Sequence, residues 1–170
     1  MPFDEIYETT HKAVLAFIIA KCGRITDVSD IFQETYLELH TLLVKRGVAY
    51  VIDAKALVMR LARQKIARHY TFMERIKQRM AITKPDEDAD DILAHEADAF
   101  LTEEWVVTSL MYEAARTVLR GKPVGVQRVF ALTYHVGLTL AETAQVLGIS
   151  ESTVKSRLYR TLKELRTALG

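Results

Sequence analysis

The stretch that decides the fold is residues 139–169, TLAETAQVLGISESTVKSRLYRTLKELRTAL. Thr139 and Glu142 have the spacing of a capping box, which marks the start of a helix. Gly148 supplies the positive φ that a tight turn between two helices requires, and Ser150 can cap a second helix. The apolar positions of this second helix recur at spacings of four, four and three: Val154, Leu158, Leu162 and Leu165. The stretch therefore predicts a helix-turn-helix.

The side of the second helix that faces away from these apolar residues is polar and basic. Its outward positions are Glu151, Ser152, Lys155, Ser156, Tyr159 and Arg160. In a helix-turn-helix, the N-terminal half of the second helix enters the major groove, where hydrogen-bonding side chains distinguish base edges. The pattern therefore favours a DNA-reading surface over a helical hairpin with a merely solvated face.

Apolar residues also recur at helical spacing in the first half of the chain. A first stripe ends at Gly23, and a second begins near Asp27 and stops at Gly47. A third begins at Asp53, a suitable N-cap, and runs toward Met73. These three helices should form one bundle.

Only 7 Gly and 3 Pro interrupt the 170 residues, which leaves little room for strands. Four further helices are expected from near Thr102, ending at Gly121, Gly137, Gly148 and the C-terminus. The expected fold class is all-α. We predict a three-helix-core domain over residues 1–79, an acidic flexible linker over residues 80–101, and a four-helix domain carrying the helix-turn-helix over residues 102–170.

Charge is sharply segregated, although the formal net charge is only +1. Residues 55–79 carry eight Lys or Arg and one acid, whereas residues 86–104 carry nine Asp or Glu and no Lys or Arg. Residues 150–170 are basic again, with five cations and two acids. Two basic patches separated by an acidic stretch suggest two polyanion-binding surfaces, the alternative being two solvated helix faces.

The bulk composition suggests a soluble cytoplasmic protein. The single cysteine, Cys22, rules out an internal disulfide and fits a reducing compartment. The longest apolar run, Ala13–Ala20, is too short to span a membrane, so no membrane insertion is expected. The sequence contains no phosphate-binding loop, no paired cysteines and no nucleophile elbow, and position 99 is Ala where a zinc-binding H-E-x-x-H would need histidine. We predict no enzymatic activity, metal site or cofactor.

The segment ISESTVKSRLYRTLKELR, residues 149–166, resembles region four of extracytoplasmic-function sigma factors in the sigma-70 family. The resemblance implies binding to the minus-thirty-five promoter element. The residues expected at DNA are Ser152, Lys155, Ser156, Arg157, Tyr159 and Arg160. Arg157 is expected to contact a phosphate or to form a buried pair. Residues 124–140 resemble the packing helices of region four, which would also face the polymerase β flap.

The second helix carries DVSDIFQETYLEL, residues 27–39, which resembles the region-two motif of the same family. The resemblance implies that Asp30, Gln33 and Glu34 contact the coiled coil of the polymerase β′ subunit. Gln33 and Glu34 lie three and four residues after Asp30, which places these polar groups along one face of a helix, opposite Ile31. Without the resemblance, the same pattern fits an amphipathic helix with no partner.

The third helix interleaves cations with aromatic rings, and resembles the segment that reads and melts the minus-ten element. Cations neutralise the phosphates of a separated strand, while rings replace the stacking that an extruded base loses. Each ring taken singly also fits a core position. The residues predicted at the minus-ten element are Tyr50, Arg60, Arg63, Gln64, Lys65, Arg68 and His69.

The resemblance implies a sigma factor that binds core RNA polymerase, recognises both promoter elements and promotes strand opening. It also implies control by an anti-sigma protein. The alternative is an autonomous helix-turn-helix regulator, which would need a phosphoacceptor or ligand domain in place of the region-two motif. The acidic linker either threads the polymerase toward its active centre or merely tethers two binding modules.

Three residues of the third helix depart from the usual family pattern. Leu57 stands where Trp is frequent, Gln64 where Asn is usual, and Arg68 where an acid is usual. Since Arg68 replaces a hydrogen-bond acceptor with a donor, it should alter base preference or add phosphate affinity. We expect Arg68→Asp to change the promoters selected from a mixed pool in transcription with core polymerase. Unchanged selectivity would refute this role.

Overall fold

The structure, a computed structural model, describes residues 2–80 and 113–170 of the chain. The chain divides into two units, Met1–Ile92 and Leu93–Gly170. The described ranges contain helices and no strand, so the predicted all-α class is confirmed. The acidic linker beyond residue 80 and the expected helix start near Thr102 lie outside the described residues.

Three helices build the N-terminal unit: α1 (Phe3–Lys21), α2 (Val28–Arg46) and α3 (Ala54–Met80). Single 3-10 turns, Ile25–Asp27 and Val48–Tyr50, precede α2 and follow it. Each helix contacts the other two, so the three form the bundle that the sequence predicts.

The helix ends of this unit follow from local chemistry. Gly47 ends α2 with a φ of 76°, a conformation that residues with a Cβ rarely adopt. The Asp53 carboxylate accepts a hydrogen bond from the Ala56 amide at 2.9 Å, satisfying a free donor at the start of α3. α3 continues to Met80, seven residues beyond the predicted Met73, because no glycine or proline interrupts residues 54–80.

The core of the bundle is formed by one apolar stripe from each helix. Val14 and Ile18 of α1, Leu39 of α2 and Val58 of α3 are completely buried. Burying such a side chain stabilises the folded state by about 1.5–3 kcal/mol. Because each helix packs only one side against this core, its other sides remain accessible to partners.

One polar pair is buried between α1 and α2. The hydroxyl oxygens of Thr10 and Tyr36 lie 2.8 Å apart, and the Thr10 hydroxyl also donates to the Ile6 carbonyl at 2.6 Å. Burial raises the pKa of Tyr36 to about 12, so its hydroxyl stays neutral at physiological pH. A neutral, hydrogen-bonded hydroxyl can be buried at little cost.

The C-terminal unit contains α4 (described over residues 113–120), α5 (Val124–Phe130), α6 (Leu140–Leu147) and α7 (Glu151–Leu169). α5 runs on into a π-helical turn, Ala131–His135, and Gly137 follows with a φ of 79°. The helices end next to the glycines predicted as stop signals. Within the described ranges, no helix is long and apolar enough to cross a bilayer.

Two leucines on α2 offer a matched test of the bundle core. Leu39 is fully buried, whereas Leu37, two residues earlier, is 67% exposed. We expect Leu39→Ala to lower the free energy of unfolding of this unit by about 2–5 kcal/mol, because it opens a cavity. Leu37→Ala should change it by less than about 0.5 kcal/mol. Native-state hydrogen exchange of the α1–α3 amides measures both, and equal losses would contradict this account of the core.

Candidate nucleic-acid interface and docking face

The helix-turn-helix is defined by hydrogen bonds at both ends of α6. The Thr139 amide donates to the Glu142 carboxylate at 2.8 Å, and the Glu142 amide donates to the Thr139 hydroxyl at 3.2 Å. The predicted capping box is therefore confirmed. The bond from the Thr139 backbone also lowers the pKa of the Glu142 carboxyl, because it stabilises the charged form.

The turn between α6 and α7 uses Gly148 in the left-handed region, with a φ of 65°. The Ile149 amide donates back to the Ala144 carbonyl at 3.1 Å, which closes the turn. Ser150 then caps α7, its hydroxyl accepting from the Thr153 amide at 3.2 Å. The turn and both caps follow the expectations from residues 139–169.

Packing determines which side of α7 faces outward. Val154, Leu158 and Leu165 are buried against Val129 and Phe130 of α5, among others. Leu162 is partly buried beside them. With this stripe inside, a polar set is left exposed: Glu151, Ser152, Lys155, Ser156, Tyr159 and Arg160. This set, called the α7 face below, contains five of the six residues predicted for the minus-thirty-five element.

The α7 face carries one internal ion pair. Nζ of Lys155 lies 3.0 Å from Oε1 of Glu151, one turn earlier, and both side chains are 48% exposed. Ion pairs between side chains this exposed are weak. Lys155 can therefore break its contact with Glu151 and bind a phosphate or a base edge instead. Tyr159 is 60% exposed and presents an apolar ring beside the cations.

The sixth predicted residue, Arg157, points elsewhere. Its Nη1 donates to the Gly125 carbonyl of α5 at 3.3 Å, and its side chain is only partly exposed. A Cβ on Gly125 would lie 2.8 Å from the same nitrogen, so glycine permits this close approach. Arg157 therefore links α7 to α5 and lies off the α7 face.

The predicted minus-ten residues of α3 divide into two groups. Arg60, Arg63, Gln64 and Arg68 are exposed, and the three arginines form no ion pair with any described residue. The Arg63 guanidinium lies 5.4 Å from the centre of the Phe17 ring, and this cation-π contact with α1 helps to position the Arg63 side chain. These four residues form a basic surface, called the α3 face below. Cations without partners attract a polyanion most strongly.

Lys65 and His69 lie off the α3 face. The Lys65 side chain is 15% exposed and pairs with Glu34 and Glu38 of α2. Nε2 of His69 lies 3.4 Å from Oδ2 of Asp27, a residue that is itself buried. Helical periodicity explains the difference, since residues 65 and 69 share the side of α3 that packs on the bundle.

Asp27 gathers several groups at the junction of α1, α2 and α3. Its carboxylate accepts from Arg24 at 3.2 and 3.3 Å and from the Tyr70 hydroxyl at 3.5 Å. The Tyr70 hydroxyl in turn accepts from the Gly23 amide. Burial raises the pKa of Tyr70, which keeps the hydroxyl protonated. Tyr70 is thus a positioning residue of the bundle.

The Tyr50 ring, in contrast, is exposed and lies beneath the Arg46 guanidinium.

Asp30, Gln33 and Glu34 are all exposed along one side of α2. Two apolar side chains continue this side, Leu37 at 67% and Val44 at 73% exposure. The sequence analysis did not assign Leu37 and Val44 to this side. Residues 30, 37 and 44 are seven apart, however, and this spacing places them on one side of a helix. These five residues form a candidate docking surface, called the docking face of α2 below. It is polar at its N-terminal end and apolar toward its C-terminal end.

The comparisons with known proteins agree with this architecture. Residues 123–165 match the family model described as Sigma-70, region 4. The chain also resembles the solved structure of the sigma factor RpoE in complex with the anti-sigma factor NepR from Bartonella quintana. That likeness has a TM-score of 0.52 at 16% sequence identity and covers 98% of this chain and 96% of the other. No curated protein sequence matches the chain.

The helix-turn-helix with its capped second helix thus falls in the part of the chain that matches region four of the sigma-70 family. This match over residues 123–165 bears out the region-four resemblance predicted from the sequence for the C-terminal unit. For the N-terminal unit, the likeness to RpoE is a likeness of fold. Over the described ranges, no cluster of His, Cys, Asp or Glu has the arrangement of a metal site.

The cap of α7 can be tested by removing one hydroxyl. Ser150→Ala removes the side-chain acceptor of the Thr153 amide and should destabilise the C-terminal unit by about 1 kcal/mol. Ser156→Ala, on the same helix and exposed, removes a hydroxyl without a capping role and serves as the control. Hydrogen exchange in α7 measures both, and indistinguishable protection would contradict the cap assignment.

Proposed function

We propose that the chain is a transcription initiation sigma factor that binds core RNA polymerase and recognises two promoter elements. The observation that carries the proposal is the α7 face, a capped polar and basic helix in a region-four helix-turn-helix. Such a helix fits the major groove, where donors and acceptors read base edges. We assign the minus-thirty-five element to the α7 face. Arg157 supports this face indirectly, because it links α7 to α5.

The α3 face supports a role at the minus-ten element. Three arginines that form no ion pair with a described residue, and Gln64 beside them, suit the phosphates and base edges of a separated strand. The exposed Tyr50 ring, in the turn before α3, offers a stacking surface for an extruded base. Strand opening would follow from binding the separated strand more tightly than the duplex.

The docking face of α2 supports binding to the polymerase. Asp30, Gln33 and Glu34 provide exposed acceptors for a basic partner helix, and Leu37 adds an apolar contact beside them. We assign this face to the β′ coiled coil. Residues 124–140, which include α5 and its π-helical turn, are assigned to the β flap.

Control by an anti-sigma protein is part of the proposal. The Bartonella quintana sigma factor was solved bound to such a protein, and this chain shares its fold. A partner covering the docking face of α2 would keep the protein from core polymerase. Action on the chromosome as part of the polymerase would place the protein in the cytoplasm.

The proposal is tested by run-off transcription from a pool of promoter fragments, using bacterial core polymerase with and without the protein. We expect discrete start sites preceded by two shared elements, and none with core alone. Lys155→Ala/Arg160→Ala should lower initiation about tenfold or more, because each lost base or phosphate contact costs about 1–3 kcal/mol. Gln33→Ala/Glu34→Ala should lower it by weakening assembly with core.

The matched control is Glu8→Ala/Lys12→Ala, two exposed residues on α1 outside every assigned surface. This variant should initiate as the unmodified protein does. No initiation with a cognate core, together with tight binding to duplex DNA by the protein alone, would favour an autonomous helix-turn-helix regulator instead.

A further inference from the structure

Lys65 is the one predicted minus-ten cation that α2 holds by ion pairs. Its Nζ lies 3.4 Å from Oε2 of Glu38 and 3.9 Å from Oε2 of Glu34. In sequence it adjoins Gln64 and lies one turn before Arg68, both on the α3 face. A lysine stem is long and flexible, so its ammonium can reach either side of this boundary.

The two glutamates that hold Lys65 have more exposed side chains than the lysine itself. The side chains of Glu34 and Glu38 are 58% and 40% exposed, against 15% for Lys65. Ion pairs with such exposed partners are weak and are screened by salt. The pairing therefore restrains Lys65 without burying it permanently.

Glu34 belongs to two surfaces at once. It lies on the docking face of α2 with Asp30 and Gln33, and it also pairs with Lys65 of α3. A cation of a docked partner that approached Glu34 would compete with the Lys65 ammonium for the same carboxylate. Loss of the contact between Glu34 and Lys65 would make the Lys65 ammonium more available beside the α3 face.

We propose that Glu38 and Glu34 are positioning residues that restrain Lys65 in the free protein and so limit its contact with DNA phosphate. The inference rests on the proposed function. Lys65 is thus a restrained cation at the edge of the α3 face, whereas Arg60, Arg63 and Arg68 form no ion pair with a described residue.

The test measures binding of the free full-length protein to fluorescent single-stranded DNA of mixed sequence over a range of potassium chloride. Glu38→Gln removes the nearer carboxylate charge and should tighten binding. It should also steepen the slope of log affinity against log salt by up to about 0.7, the value for one added phosphate contact on a single strand. Glu34→Gln should act in the same direction but less, because its distance to Nζ is greater.

Two further variants separate this effect from others. Glu8→Gln makes the same change of charge at an exposed site of α1, away from any described ion pair, and reports the general effect of one lost negative charge. In a Lys65→Gln background, Glu38→Gln should give no gain beyond that of Glu8→Gln. Thermal unfolding should show that all variants remain folded.

Equal slopes for Glu38→Gln and Glu8→Gln, or a gain that persists without Lys65, would overturn the inference. The run-off assay on the unmodified protein reports separately on the proposed function. Initiation by the unmodified protein together with equal slopes refutes only the restraint on Lys65. Absence of initiation refutes the sigma role, whatever the slopes are.

Discussion

Burial of a single apolar stripe on each helix is the constraint on which the rest of the structure depends. In α7, Val154, Leu158 and Leu165 enter the core of the C-terminal unit, and this alone orients the α7 face toward solvent. In α2, the same requirement places Ile31 and Leu39 inside and the docking face outside. The candidate binding surfaces are the sides of the helices that face away from these cores.

Charge is distributed on this framework by the local availability of partners. On α3, Arg60 and Arg68 point away from the bundle and stay unpaired among the described residues, whereas Lys65 points toward α2 and meets two carboxylates. A free cation attracts a polyanion over a Debye length of about 8 Å at physiological salt, whereas a paired one first has to leave its partner. Two cations close in sequence therefore contribute differently to the same surface.

Asp27 shows how a polar group can secure this arrangement. It joins Arg24, His69 and Tyr70, so the turn between α1 and α2 is connected to the middle of α3. A buried carboxylate is costly unless it is paired and hydrogen-bonded, and the hydrogen bonds from Arg24 and Tyr70 offset that cost. Arg68 lies directly before His69, so the position of the α3 face depends in part on this carboxylate.

Much of the architecture could be predicted because it depends on short-range chemistry. The capping box at Thr139, the left-handed Gly148 and the cap at Ser150 involve residues within one helical turn of each other. Helical periodicity likewise predicted the outward positions of α7 and the exposure of Asp30, Gln33 and Glu34. The length of α3 was underestimated, because the decline in apolar density after Met73 does not by itself end a helix.

By itself, the sequence determined the all-α class, the helix-turn-helix and the side of each helix that carries charge, since spacing along one helix specifies all three. Only the tertiary structure decided which of those charged residues are free. Arg157 bonds to Gly125, His69 approaches Asp27, and Lys65 pairs with Glu34 and Glu38. These partners lie 27 or more residues apart in sequence, and helical spacing does not reveal which helices pack together or in what register. Packing brings such pairs into contact, and it therefore decides which cations remain available to a nucleic acid.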